Sequence, residues 1–60
     1  MPIVQVDMLV GRTIDQKRAM VKEVTEALVR TTNCKPESVK IIIRDMEKSS
    51  LGEGGKLNCD

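Results

Sequence analysis

Val39-Lys40-Ile41-Ile42-Ile43 constrains the rest of the chain. β-Branched side chains dominate it, and they fit a pleated strand better than the crowded surface of a helix. Extended through Arg44-Asp45-Met46, it reads as a strand from Val39 to Met46. Val39, Ile41 and Ile43 share one face; Lys40, Ile42, Arg44 and Met46 share the other. Glu37-Ser38 leads into it, and Pro36 pushes Lys35 out of helical geometry. Any helix upstream must therefore stop within Asn33-Cys34-Lys35-Pro36.

Such a helix is written in the preceding residues, from about Ile14 to Thr32. Met20, Val21, Val24, Ala27, Leu28 and Thr31 recur at three- and four-residue steps, which marks a buried stripe. Lys17, Arg18, Lys22, Glu23, Glu26 and Arg30 fall on the wet side, with Lys22–Glu26 and Glu26–Arg30 favourably spaced. Thr13-Ile14-Asp15-Gln16 fits a capping box, and Asp15 suits the positive end of the helix. Before Gly11-Arg12, residues Ile3 to Val10 alternate as a strand: Val4, Val6, Met8 and Val10 against Ile3, Gln5, Asp7 and Leu9.

Strand, helix and strand in this order form a βαβ unit, with parallel strands and a right-handed crossover. After Met46, the tail carries Gly52, Gly54 and Gly55 and reads as a loop, a short hairpin and a disordered end. The fold class is therefore α+β, one domain over residues 1–60. One helix covers the face bearing Val4, Val6, Met8, Val39, Ile41 and Ile43. Nothing in the chain covers Ile3, Leu9, Ile42 and Met46 on the other face. Parallel sheets normally have both faces covered, so further copies of the chain are expected to complete the fold.

Composition narrows the function. There is no Trp, Tyr or Phe, and the net charge is +1, so neither a basic footprint nor base-stacking platforms for nucleic acid exist. No stretch reads as a membrane span or a signal peptide, which points to the cytoplasm. Cys34 and Cys59 are not spaced for zinc and read as free thiols, so no metal is expected. Pro2 has two readings. It starts a strand where a missing N–H costs little. If Met1 is removed, it also becomes a free secondary amine. An α-amino group titrates at roughly 7.7–8.0 and lower near cations or when partly buried, so it can serve as a general base. The chain has no histidine to do this instead.

Two runs carry a resemblance: Pro2-Ile-Val-Gln-Val-Asp-Met-Leu-Val-Gly-Arg-Thr-Ile-Asp-Gln-Lys-Arg, and Ser38-Val-Lys-Ile-Ile-Ile-Arg-Asp-Met-Glu-Lys closed by Leu51-Gly-Glu-Gly-Gly. With Pro at position 2, Gly-Arg-Thr before the helix and the Gly-rich end, the chain resembles the 4-oxalocrotonate tautomerase family over almost its whole length. The resemblance implies a βαβ fold with a C-terminal hairpin, assembled as a homo-oligomer, a hexamer built as a trimer of dimers. It implies a cofactor-free isomerase acting on a small-molecule carboxylate such as 2-hydroxymuconate, with Pro2 as the catalytic base.

The same resemblance gives Arg12 the substrate carboxylate, which a guanidinium grips with two parallel hydrogen bonds. Lys40 stands where the best-studied branch has a second arginine, supplied by a neighbouring subunit, and keeps the charge without the fork. Leu51 replaces a phenylalanine that lines the pocket, and Leu9 is a second wall, so the pocket is expected to be wider or wetter. Glu53 falls where related haloacrylate dehalogenases carry a glutamate that activates water, although those enzymes also use a pair of arginines early in the chain, where this sequence has Leu9 and only Arg12. Hydrolytic dehalogenation or hydration, and a non-catalytic oligomeric module, remain as alternatives.

Overall fold

A computed structural model describes residues 2–60; Met1, on which the removal step depends, lies outside the described residues. The order is β1 (Ile3–Leu9), α1 (Ile14–Thr32), a 3-10 turn (Pro36–Ser38), β2 (Lys40–Met46), a second 3-10 turn (Lys48–Ser50), β3 (Gly52–Glu53) and β4 (Lys56–Leu57). Strands β1 and β2 run parallel, with Ile3 opposite Lys40, Val6 opposite Ile43 and Leu9 opposite Met46. The expected βαβ unit and C-terminal hairpin are both present.

Local chemistry sets each boundary. The Thr13 hydroxyl accepts the Gln16 N–H at 3.1 Å, and the Gln16 side-chain oxygen accepts the Thr13 N–H at 2.9 Å. This closed capping box satisfies two helix-end donors that would otherwise need water. At the other end Asn33 adopts a left-handed conformation, φ 58°, and its N–H donates to the Val29 carbonyl. The second strand begins at Lys40 rather than Val39, because Pro36–Ser38 curls into the 3-10 turn and Val39 N–H donates to the Pro36 carbonyl. The first strand ends at Leu9, one residue early, although Val10 N–H still reaches the Met46 carbonyl at 2.9 Å.

Alternation is followed along both strands. Val4, Val6, Met8, Ile41 and Ile43 are half-buried against α1, while Ile3, Gln5, Asp7, Lys40, Ile42 and Arg44 are exposed. Leu9 and Met46 are half-buried, so the outer face is apolar and open chiefly at Ile3 and Ile42. Thr31, assigned to the helix stripe by spacing, is exposed and turns its hydroxyl back to the Ala27 carbonyl; Thr25 and Val29 are half-buried instead. Lys17 is also not a wet-side residue: it is half-buried and forms an ion pair with Asp45 of β2. The expected pairs Lys22–Glu26 and Glu26–Arg30 do not form; on the helix surface Arg18 pairs with Asp15 at 3.0 Å.

The tail is more ordered than its glycines suggest. Gly54 and Gly55, at φ 59° and 84°, make the hairpin turn. Asn58 N–H donates to the Leu51 carbonyl at 2.8 Å, and the Asp60 carboxylate accepts the Leu57 N–H at 3.1 Å, which folds the end back onto the hairpin instead of leaving it disordered. The residues expected to be loop include the 3-10 turn Lys48–Ser50.

A single chain does not make a core. Among the described residues none is fully buried. The chain exposes 4756 Å² for 6.7 kDa, against about 3,900 Å² for a compact monomer of that mass. Its radius of gyration is 14.5 Å, where about 10 Å is typical of 60 residues. The excess comes from an elongated shape, 43 × 23 × 13 Å. Among the described residues no helix is long and apolar enough to cross a membrane.

Candidate active site at the two ends of one strand

Pro2 stands immediately before β1, half-buried, and its carbonyl accepts the Lys40 N–H at 3.1 Å. That bond extends the parallel ladder one step beyond Ile3 and holds the proline against the start of β2. Lys40 is exposed and shares the outer face with Ile3, its register partner. Pro2 and Lys40 are thus neighbours through the backbone.

Arg12 lies at the other end. Seven strand residues separate it from Pro2, a rise of about 23 Å at 3.3 Å per residue. Gly11, with φ 126°, turns the chain there in a conformation that side chains with a Cβ rarely adopt. Arg12 is exposed and lines a cleft of about 190 Å³ with Met8, Gln16, Lys17 and Met20. Leu9 is close in sequence, half-buried, on the opposite face of β1 from Met8. Leu51 sits at the root of the hairpin, half-buried, with its carbonyl bound to Asn58 N–H. Glu53 is exposed on β3, in register with Lys56.

The expected site residues therefore fall into separate groups within one chain: Pro2 with Lys40, Leu9 with Arg12, and Leu51 apart. Sequence points to none of Lys17, Gln16 and Asp45 as a site residue. A signal for Asp45 was available, since alternation with Ile41 and Ile43 puts it on the helix side of β2. The larger surface feature is an apolar groove of about 650 Å³ along α1, lined by residues that include Ile14, Val21, Val29 and Pro36. Ile14 is 61% exposed there. Among the described residues no cluster of three or more His, Cys, Asp or Glu could hold a metal ion.

A family model described as tautomerase enzyme matches residues 2–58. The chain belongs to the tautomerase family. The 4-oxalocrotonate tautomerase branch is where its similarities lie. A 2-hydroxymuconate tautomerase of Pseudomonas putida is 42% identical over 57 residues, covering 95% of this chain and 90% of the relative. A solved structure of a 4-oxalocrotonate tautomerase isozyme from Methylibium petroleiphilum superposes with a TM-score of 0.92 at 38% identity, over 97% of this chain and 91% of that one. A structure studied for trans-3-chloroacrylic acid dehalogenase activity is also similar, with a TM-score of 0.84 at 28% identity, over 93% and 97% of the two chains. As a member of the tautomerase family the protein is an isomerase, which sets aside the non-catalytic module.

Proposed function

We propose that the protein is a cofactor-free tautomerase of small unsaturated 2-hydroxy or 2-oxo acids such as 2-hydroxymuconate, working with Pro2 as general base after removal of Met1. The observation that carries this is Pro2 itself. It is half-buried at the tip of β1, tied through its carbonyl to β2, and would present a secondary amine once the preceding peptide bond is gone. The amine takes the proton of the substrate's 2-hydroxyl as the C=O forms, the conjugated double bonds shift, and the same proton is returned to C5. Substrate and product are isomers, so no other reactant is consumed. Arg12 holds the distal carboxylate with its guanidinium fork. Lys40 favours the charge that develops on the 2-oxygen. Leu51 and Leu9 wall the pocket and keep it apolar.

The site needs more than one copy of the chain, since about 23 Å of strand between Pro2 and Arg12 is beyond the reach of an arginine side chain. Among the described residues of a single chain, nothing pairs with the outer edge of β1. A second β1 running antiparallel along it, centred on Val6, would bring its own Val10-Gly11-Arg12 beside Pro2. The open groove on α1, the missing core and the exposed Ile3 and Ile42 support the same homo-oligomer, which we take to be a hexamer built as a trimer of dimers. Lys40 and Leu51 then act in whichever copy's site they reach. The setting is the cytoplasm, where Cys34 and Cys59 stay free thiols.

The test is ketonisation of 2-hydroxymuconate by the protein beginning at Pro2 and by protein that retains Met1, whose Pro2 nitrogen is an amide without basicity. General-base catalysis contributes roughly 10²–10⁴-fold, and a loss of that size is expected. An oligomer of Met1-retaining chains with unchanged kcat removes Pro2 from the mechanism. Hydrolytic dehalogenation is a second reading, supported by the dehalogenase structure and by Glu53. Glu53, exposed and facing Lys56 across the hairpin, is better explained as a solvated strand charge. Chloride release from trans-3-chloroacrylate would decide for that reading.

A further inference from the structure

We infer that the ion pair between Lys17 and Asp45 positions Arg12 for substrate and keeps its cleft to a single free cation. This rests on the reading of Arg12 as the carboxylate holder. Arg12 sits in a turn whose ends are fixed separately. On the strand side, Val10 N–H is held by the Met46 carbonyl. On the helix side, the capping box of Thr13 and Gln16 fixes the first turn of α1. Gly11 between them is conformationally permissive and meets nothing where a Cβ would be, so no side chain at that position braces one anchor against the other.

Apolar packing holds α1 on the sheet, and a polar contact close to Arg12 ties the start of α1 to the end of β2. Among the described residues, Lys17–Asp45 is the one side-chain hydrogen bond or ion pair that joins α1 to the sheet. The other walls of the cleft near it, Met8 and Met20, are flexible thioethers that adapt rather than dictate position. The Lys17 and Asp45 side chains are 22% and 37% exposed, so solvent screens this pair less than a fully exposed one. Asp45 also occupies the ammonium of Lys17, which lines the same cleft. Among the described residues Arg12 is then left as the cleft's unpaired cation, matched to one carboxylate.

Asp45→Asn keeps the shape and removes the charge; Lys17→Gln does the same from the helix side. An ångström of misplacement costs roughly 10²-fold at a reacting centre, and a tethered turn should lose less, so KM for 2-hydroxymuconate is expected to rise about tenfold. The value of kcat should stay within about twofold, because Pro2 is untouched. Lys17→Arg should retain the wild-type KM. In an Arg12→Ala background, Asp45→Asn should add no further rise, the coupling expected if both act through one contact. A lowered thermal midpoint in both variants with KM unchanged would make the pair a structural link only and overturn the inference. If Arg12→Ala itself leaves KM unchanged, the reading of Arg12 fails instead, and the two failures are distinguishable.

Discussion

Two inactive variants should restore each other. Retention of Met1 removes the base, because the Pro2 nitrogen is then an amide, and Arg12→Ala removes the carboxylate clamp. If one chain supplied both groups to one site, a mixture would contain no site with both. The seven residues of β1 make that arrangement impossible within a chain, because they span about 23 Å. On the proposed mechanism the site then takes Pro2 from one copy and Arg12 from another. After co-refolding at equal amounts, a site has an even chance of an intact Pro2 and an even chance of an intact partner Arg12. About one quarter of sites are fully native if the copies assort at random. Tautomerase activity of the mixture should therefore recover to about 25% of wild type per chain, from parents reduced by roughly 10²-fold or more. The assay is the initial rate on 2-hydroxymuconate, with mixed assembly verified by native mass spectrometry. Verified mixed oligomers with no more activity than their parents would refute the shared site.

Exposed Ile3, Ile14 and Ile42 each stand to gain roughly 1.5–3 kcal/mol if buried by another copy, a large share for a short chain in which none of the described residues is fully buried. Sedimentation should find a stable oligomer, a hexamer in our reading; a folded 6.7 kDa species at micromolar concentration would contradict it. Lys40→Ala should lower kcat by about tenfold or more while moving KM less, since the charge it meets develops toward the transition state. Matching kinetics in Lys40→Ala and wild type would reduce Lys40 to a surface charge whose backbone N–H, unaffected by the change, is its contribution to the site.

The parts of the fold that local chemistry decides were legible in the sequence. The β-branched run at Val39–Ile43, the Thr13/Gln16 box and the stop before Pro36 each act over a few residues, and each is in place. What escaped depends on partners distant in sequence. Lys17 looked like solvent-facing charge because Asp45, which holds it, is 28 residues away. The C-terminal end looked disordered because its glycines were counted, whereas the bonds from Asn58 and Asp60 back to the hairpin depend on the turn having formed. The candidate site residues came from resemblance, and the strand expected from Ile3 to Val10 already sets Pro2 and Arg12 apart. That follows from strand length: residues close in a motif need not be close in space. The outer sheet face and the α1 groove carry the mixed polar and apolar character of any surface, so sequence pattern alone does not say which copy covers them.

The decisive measurement compares kcat/KM on 2-hydroxymuconate for two preparations defined by intact mass, one beginning at Pro2 and one retaining Met1. With Met1 attached, the Pro2 nitrogen is a tertiary amide with neither basicity nor a proton to exchange. Activity should belong to the chain beginning at Pro2. Its kcat/KM should rise with pH through a single ionisation, because the deprotonated amine is the reactive form, at or below the roughly 7.7–8.0 of a free α-amino group. Equal kcat/KM from the Met1-retaining chain would contradict the mechanism and send the search for the base to the carboxylates, Asp7 and Glu53 first.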